Sequence, residues 1–359
     1  MKRILVTGGA GFIGSNFIHF LLAAEPDVFV INLDALTYAG SPENLKNLPD
    51  PERHVFIHGD INDRPLLDQL FRQYEIETVV HFAAESHVDR SILDPGIFVR
   101  TNVIGTFTLL EAARQAWLED RIVPLEAARF HHVSTDEVFG TLRAGDPPFS
   151  ESTAYQPRSP YAASKAASDH FVRAYHTTFG LPVTISNCSN NYGPRQFPEK
   201  LIPLMILNAT QGKPLPVYGD GMQIRDWLYV DDHCAAIWKV ITAGKVGETY
   251  CIGGNNQPAN IEIVQTICKV LDELQPNSPF SPHDQLITHV TDRPGHDRRY
   301  DITIEKIQQE LGWSPLHSLQ EGLADTVRWY LENPQWVQAI TGQPDYGTWL
   351  KKNYGGRAG

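Results

Sequence analysis

The first fourteen residues constrain this chain more than any other segment. Lys2-Arg3-Ile4-Leu5-Val6-Thr7 reads as a strand that runs into Gly8-Gly9-Ala10-Gly11-Phe12-Ile13-Gly14, and an apolar helical pattern follows over Phe12 to Ala24. Each glycine has a physical task in such a turn. Gly8 permits the tight turn, Gly11 lets a diphosphate approach backbone N–H groups at the helix N-terminus, and Gly14 lets helix and sheet pack closely. A bare glycine trio would mean little; the strand before it and the helix after it give it weight.

The pattern then repeats. Short apolar runs at Val28 to Leu33, Val55 to Ile57, Thr78 to Phe82, Phe130 to Val133 and Val183 to Ser186 alternate with helical patterns at Arg64 to Tyr74, Ile97 to Ala116 and Pro160 to Phe179. That order predicts an α/β fold with a doubly wound parallel sheet of the Rossmann type, its strand C-termini aligned along one edge. After Cys188 the chain becomes rich in Pro, Asn and Gly, with helical stretches near Leu201 to Gln211, Val230 to Ala243, Ile261 to Leu274 and Leu319 to Leu331. The expected division is a dinucleotide-binding domain over 1–188, with 227–252 returning to it, and a smaller C-terminal substrate-binding domain from 189–226 and 253–359. Gly355 to Gly359 reads as a disordered end.

With 359 residues, 42% of them hydrophobic, the chain can bury a large core, and its 30 basic against 42 acidic residues give a formal charge of −12. Such a balance argues against nucleic acid and anionic membrane as partners. Cys188, Cys234, Cys251 and Cys268 are too scattered for a metal cluster or a C-x-x-C pair. Buried, reduced thiols and no bound metal are expected. The N-terminus has no leader-like apolar region and no later run suits a membrane helix, so a cytoplasmic protein without an anchor is expected.

Asp34 lies 20 residues beyond Gly14 at the end of the second strand, where a carboxylate accepts hydrogen bonds from an adenosine ribose and repels a 2′-phosphate. NAD is therefore expected rather than NADP. Asp60 and Ile61, after the third strand, are candidates to hold the adenine, although an Asp there is often a turn residue.

Tyr161 and Lys165 are four apart in a helical segment and so share one face. A phenol of pKa about 10 needs a cationic neighbour to act as a base near pH 7, and the Lys165 ammonium together with an oxidised nicotinamide would supply it. Asp136 and Glu137 directly follow the apolar strand Phe130 to Val133. Adjacent strand residues point to opposite faces, so both acids reach one substrate only if the pleat ends near Thr135. To donate a proton, Asp136 also needs a raised pKa. Oxidising an alcohol uses neither acid; a base and an acid beside a hydride site suit elimination of water.

Among other polar groups, His131 and His132 are expected to divide into one core histidine and one packing or network histidine. Asp231-Asp232-His233 suits a helix N-terminus better than a metal site. The stripe Phe98, Thr101, Asn102, Gly105, Leu109 and Ala112 reads as a helix packing face.

Taken together, the glycine loop, Tyr161-Ala162-Ala163-Ser164-Lys165, Thr135-Asp136-Glu137, the run His81 to Ser91, Asn187 to Pro194, Phe197 to Pro203, Arg225-Asp226-Trp227 and Asp292 to Asp297 resemble the extended short-chain dehydrogenase/reductase family. Within it the likeness is to the nucleotide-sugar 4,6-dehydratases and covers nearly the whole chain. Epimerases of the same family typically share the loop and the Tyr/Lys pair but lack the paired acids; a 4-epimerase, or a dehydratase for another nucleotide-glucose, is the alternative.

The resemblance implies tightly held NAD, regenerated in each turnover. It implies that Tyr161 takes the O4 proton during oxidation at C4, aided by Thr135 and Lys165, that Glu137 removes the C5 proton, and that Asp136 protonates the departing O6 hydroxyl. By the same resemblance Gly8, Gly11, Phe12, Ile13, Gly14, Asp34, Ala35, Leu36, Thr37, Asp60, Ile61, Ala83, Ala84, Glu85, Ser86, Thr101, Tyr161, Lys165 and Asn190 lie along the cofactor. Position 35 is often lysine in such proteins, so a contact made by that side chain is missing here. Ser86, His87, Thr135, Asp136, Glu137, Tyr161, Asn190, Glu199, Lys200, Leu201, Pro216, Tyr218, Arg225, Asn260, Arg293 and His296 are implied for the nucleotide sugar. Asn190, Lys200, Arg225 and Arg293 are the candidate diphosphate donors. A homodimer through the helical region near 98–112 is implied in the same way.

Overall fold

The computed structural model describes residues 2–292, 296–343 and 346–347. Its centre is a seven-stranded parallel sheet of β1 (Lys2–Thr7), β2 (Val28–Asp34), β3 (His54–His58), β4 (Thr78–His81), β5 (Arg129–Thr135), β6 (Val183–Cys188) and, at one edge, β10 (Thr249–Ile252). The spatial order is β10-β6-β5-β4-β1-β2-β3. The order reverses between β1 and β4, and that is where a parallel sheet opens a crevice beyond its strand ends.

Successive residues of β1 show why the strands read as continuous apolar runs. Leu5 packs with Ile31, Val79 and Phe130 on one face, while Ile4 and Val6 pack with Val30, Val80 and Val133 on the other. Both faces are buried, so alternation is lost. Helices α2 (Arg64–Tyr74), α5 (Thr106–Arg114) and α6 (Pro160–Phe179) cover the first face; α1 (Phe12–Ala24) and α8 (Val230–Ala243) cover the second. Complete burial of each large aliphatic side chain is worth about 1.5–3 kcal/mol.

This two-sided burial corrects the division expected for His131 and His132, since both are fully buried. His131 meets the hydroxyls of Thr184 and Ser186 at 3.0 and 3.1 Å, and His132 Nε2 lies 3.2 Å from Asp169 Oδ1. Asp231 and Asp232 do occupy the first turn of α8, but Asp232 also accepts the His317 N–H at 3.0 Å, and His233 meets Asn191 Oδ1 at 2.8 Å.

Helices α3 (Val88–Leu93) and α4 (Pro95–Phe98) precede α5. The regular helix expected over Ile97 to Ala116 is instead wound wide, as π-helix, over Val99–Gly105 and Gln115–Glu119. Asn102 lies buried in the first wide turn, donating to Glu85 O and Ser164 Oγ and accepting the Glu85 N–H. Such insertions trade helical regularity for a redirected side chain.

A second core gathers Tyr192, Ile202, Met205, Val217, Trp227, Ile263, Ile267, Leu323, Tyr330 and Trp336. It is built from α7 (Leu201–Thr210), α9 (Asn260–Leu274), α11 (Leu319–Glu332) and α12 (Pro334–Thr341), with α10 (Glu305–Leu311) packed near β10. Two small parallel pairs complete the fold: β7 (Asn190–Tyr192) with β9 (Trp227–Tyr229), and β8 (Leu215–Tyr218) with β11 (Ile287–Val290). These short pairs escape a reading of periodicity because each has only three or four residues. The segment Gly355 to Gly359 lies outside the described residues.

Candidate active site

A cavity of about 320 Å³ follows the C-terminal ends of β1, β2, β4, β5 and β6. At one end is the glycine turn. Gly8 has φ +73°, and a Cβ there would stand 2.7 Å from Ala83 N; one on Gly14 would stand 2.3 Å from Gly8 O. The turn, the following helix and the β4 loop are therefore nested backbone to backbone. A Cβ on Gly11, at the N-cap of α1, would meet Gly8 O at 3.2 Å, and Gly11 lines the cavity.

Asp34 closes β2 and is 7% exposed. Its carboxylate accepts the Ala10 N–H at 2.8 Å and the Leu36 N–H at 2.7 Å, one on each oxygen. Burial raises its pKa, and those two amides oppose the rise. Each oxygen retains a lone pair. Fixed backbone on one side, an anchored carboxylate on the other and a helix N-terminus between them fit an adenosine diphosphate. Leu36 shapes this corner through its backbone at φ 51°, whereas Ala35, Thr37, Asp60 and Ile61 line the cavity. Asp60 also serves its own turn, accepting two hydrogen bonds from Asn62 at 2.9 Å.

At the reacting end β5 stops where the chemistry requires. Thr135 is still extended at φ −136° and ψ 154°, and Asp136–Phe139 then winds into a 3-10 turn. The Thr135 hydroxyl accepts the Glu137 N–H at 3.2 Å and donates to Asp136 Oδ1 at 3.3 Å. That side-chain cap ends the pleat, so Asp136 and Glu137 both line the cavity with Thr135 and Tyr161. Asp136 is 1% exposed, and its Oδ2 is buried without a hydrogen-bond partner among the described residues. Burial first, then the Glu137 and Asp226 charges, push its pKa well above the usual carboxyl range. This is the condition for a carboxylic acid that still holds its proton near neutral pH.

Ser159 caps α6 by accepting the Ala162 N–H at 3.0 Å, and Pro160 occupies the first turn. Tyr161 and Lys165 follow on one face, both buried and both on the cavity wall. Tyr161 hydrogen-bonds Thr135. Lys165 Nζ donates to Val133 O at 2.9 Å, and burial lowers its pKa to about 8. Tyr161 departs from expectation: burial and the Glu137 charge raise its pKa well above 10.0. Buried beside an acid, the phenol is not activated by Lys165 alone.

Ala83, Ala84, Glu85 and Ser86 form the wall between the two ends, and Phe12, Ile13, Thr101, Asn190, Glu199 and Lys200 also line it. Glu199 is buried between Arg90, at 3.1 Å, and His87, at 3.8 Å. Leu201 begins α7 just beyond Lys200.

The remaining residues implied for substrate form a separate group near the β8/β11 pair. Pro216 and Tyr218 lie on β8; the Tyr218 and His296 rings are 6.1 Å apart, and His296 Nδ1 is 2.7 Å from Asp292 Oδ1. Asn260 begins α9, and its N–H donates to Gln223 O. Arg225 stacks 4.2 Å over Tyr300 and donates to Ile224 O and Asp297 O, so its guanidinium also holds the local backbone. None of these five lines the 320 Å³ cavity. Arg293 lies outside the described residues.

Tyr38, Gln196 and Phe197 line the cavity although the sequence reading omitted them. The Arg90 guanidinium sits 3.7 Å over the Tyr38 ring, whose edge meets Phe197 at 5.7 Å. Tyr38 follows Asp34 in the loop at a strand C-terminus, and that placement on the ligand-binding edge was the available signal.

A doubly wound sheet that brings a glycine turn, a Tyr/Lys pair and two adjacent acids to one cavity defines a dinucleotide-dependent enzyme class. The chain belongs to the GDP-mannose 4,6 dehydratase family, whose model matches residues 5–326. It is 56% identical over 342 residues to the dTDP-glucose 4,6-dehydratase of Neisseria meningitidis serogroup B, covering 95% of this chain and 96% of that one. It is 53% identical to dTDP-glucose 4,6-dehydratase 1 of Escherichia coli K12, covering 99% of each. Among solved structures, the dTDP-glucose 4,6-dehydratase DesIV of Streptomyces venezuelae, crystallised with NAD, superposes with a TM-score of 0.84 at 48% identity, covering 94% of this chain and all of that one. A UDP-glucose 4-epimerase of Thermotoga maritima reaches a TM-score of 0.81 at 28% identity, covering 93% of this chain and all of that one. The fold is thus common to both chemistries, and the site must discriminate between them.

Proposed function

We propose that this chain is an NAD-dependent dTDP-glucose 4,6-dehydratase, which converts dTDP-glucose to dTDP-4-keto-6-deoxy-glucose and water. The observation that carries the reading is the placement of Asp136 and Glu137 on one cavity wall beside Tyr161. A 4-epimerase needs a base at O4 but has no use for either acid. The names of the relatives support the thymidine nucleotide.

Bound NAD accepts the hydride from C4 and returns it to C6. Tyr161 takes the O4 proton while Thr135 hydrogen-bonds at that oxygen. The resulting ketone acidifies C5, and Glu137 removes that proton. Asp136 gives its proton to O6, so the C6–O6 bond breaks with departure of water rather than hydroxide. Glu137 then reprotonates C5. Asp34, with its carboxylate fixed by two amides, selects a free ribose 2′-hydroxyl over a 2′-phosphate.

The sheet core with α8 and β10, covering 1–188 and 227–252, serves as the dinucleotide unit in this reading. The segments 189–226 and 253–359 serve the sugar nucleotide, with Asn190, Lys200 and Arg225 the donors for its diphosphate. Four buried free thiols support a cytoplasmic setting. Among the described residues no helix is long and apolar enough to cross a membrane. An exposed apolar stretch, with Ile92, Leu93, Ile97, Val99, Ile104 and Phe107 from the helical run after β4 and Phe171 from α6, supports a homodimer.

Purified protein incubated with dTDP-glucose and no added NAD is expected to yield the 4-keto-6-deoxy sugar. Failure to lose water, even with NAD supplied, sinks the dehydratase reading; C4 inversion of the sugar would replace it with the epimerase. Parallel incubations with CDP- and UDP-glucose test the base.

A further inference from the structure

Asp169 is fully buried, one helical turn beyond Lys165 on α6 as Lys165 is beyond Tyr161. A carboxylate with no access to water is costly unless it is matched by donors or a counter-charge. Here three donors meet one of its oxygens. Its Oδ2 accepts from Tyr155 OH at 2.7 Å, Ser134 Oγ at 2.9 Å and Asn187 Nδ2 at 3.2 Å. Its Oδ1 faces His132 Nε2 at 3.2 Å. Burial opposes the charge, and those bonds together with the Lys165 charge favour the ionised acid.

The imidazole is the reverse case: burial and the Lys165 charge push the His132 pKa down to about 4. With the ring neutral, the 3.2 Å contact between His132 and Asp169 is not an ion pair. That leaves the acid's negative charge uncancelled by histidine. The next cation along the helix is Lys165, whose Nζ donates to Val133 O at 2.9 Å and meets the same His132 Nε2 at 3.4 Å.

The same carboxylate braces the acidic triplet. Asn187 Nδ2 bridges Asp169 Oδ2 and Thr135 O, the latter at 3.1 Å, and Ser134 is the residue before Thr135. One buried anion thus touches the supports of both the oxidising and the eliminating groups.

We infer that Asp169 is a positioning residue: it is the buried counter-charge that keeps Lys165 an ammonium, and through Ser134 and Asn187 it fixes where β5 ends. The role given to Lys165 rests on the proposed function. The groups facing Lys165 are Tyr161 and Asp169 on its own helix, His132 on β5 with Asp136 and Glu137 beyond its end, His81 on β4 and Cys188 on β6. His81 and His132 are pushed down and Cys188 up by burial, so these three are neutral near pH 7. Asp136 is held in its protonated direction. Asp169 is then the fixed anion behind the ammonium, with Glu137 across the cavity and the Arg173 cation near Tyr155.

The deciding measurement is the titration of the Lys165 side-chain ε-carbon by ¹³C NMR in lysine-labelled full-length protein, assigned by its loss in Lys165→Arg. It needs no turnover and is independent of which sugar is bound. In the unaltered protein Lys165 should remain protonated at pH 7. In Asp169→Asn, which keeps shape and most hydrogen bonds, its midpoint should fall by at least one pH unit. His132→Gln, whose amide can still donate to Asp169, should shift it by less than half of that. The alkaline limb of C4 oxidation in single turnover should move with the NMR midpoint. An unchanged Lys165 midpoint in folded Asp169→Asn overturns the inference, and so does a neutral Lys165 at pH 7 in the unaltered protein, should that variant fail to fold. Absence of dehydration in the unaltered protein, with the Lys165 shift as expected, would count against the proposed function alone.

Discussion

The Thr135 hydroxyl accepts the Glu137 N–H at 3.2 Å. This bond ends β5 and starts the turn that puts both acids on the cavity wall. Thr135→Val removes it while preserving volume. A lost N-cap of this kind costs about 1 kcal/mol, which lowers the melting temperature by roughly 1–2 °C in a chain of this length. Dehydration should fall by at least tenfold because Tyr161 also loses its partner, whereas Thr135→Ser should retain most of both. Equal turnover in the two variants would show that the hydroxyl has no part in the chemistry.

Glu137 and Asp136 separate the steps. Glu137→Gln should abolish exchange of the C5 proton with solvent while C4 oxidation remains measurable from absorbance of the reduced cofactor. Losses of roughly 10²–10⁴-fold are usual for a deleted general base. Exchange at the normal rate in the variant would remove Glu137 from the reaction.

Asp136 should expose a conflict between stability and activity. In the folded chain its carboxyl binds a proton that the unfolded chain releases near 3.8, because burial and Glu137 raise its pKa well above that value. Between those two pKa values the native state holds more protons, so its stability falls as pH rises. Each unit of separation costs about 1.4 kcal/mol once both states are ionised. Asp136→Asn lifts that penalty. The variant should melt higher than the parent at pH 8, by less at pH 5, and yet lose dehydration. A melting difference independent of pH would mean that Asp136 is ionised in the fold throughout.

Gly8 carries a backbone constraint that no side-chain contact reveals. At φ +73°, an alanine Cβ costs about 1–2 kcal/mol in conformation and meets Ala83 N at 2.7 Å. Gly8→Ala should therefore displace the β4 loop, lower the melting temperature, and yield protein that has lost its bound NAD on purification. Full retention of cofactor would argue that the turn has slack.

The parts of the site that were legible in the sequence are those held by local rules. The glycine turn, Asp34 and the Tyr/Lys pair depend on spacing within one strand–helix unit, and the end of the pleat at Thr135 follows from the need of two adjacent acids to face one substrate. What escaped depends on contacts between distant segments. Asn102 looked like one more member of a packing stripe, and only the wide turn at Val99–Gly105 shows that it clamps the Glu85 loop. Asp169 gave no signal, because its partners Tyr155, His132, Ser134 and Asn187 come from three other segments. Arg225 was legible as a special residue but not in its backbone-holding contacts, which require Asp297 and Tyr300 from far along the chain.

The outer face of the helical run after β4 can be tested by charge. Phe98, Asn102, Gly105, Leu109 and Ala112 turn inward and are buried, so the stripe first expected to pack does so within the chain. Ile97, Ile104 and Phe107 remain exposed, with the Phe107 ring 6.2 Å from Phe171 on α6. In a dimer of standard size about 800 Å² per partner is covered, and a lysine at the centre of such a face would be buried without a partner. Phe107→Lys should shift the protein from twice the chain mass to the chain mass in sedimentation at micromolar concentration, with its melting temperature falling less than in Thr135→Val when both are compared as monomers. Sedimentation of the unaltered protein as a monomer would remove the dimer; a dimer unaffected by Phe107→Lys would move the interface elsewhere.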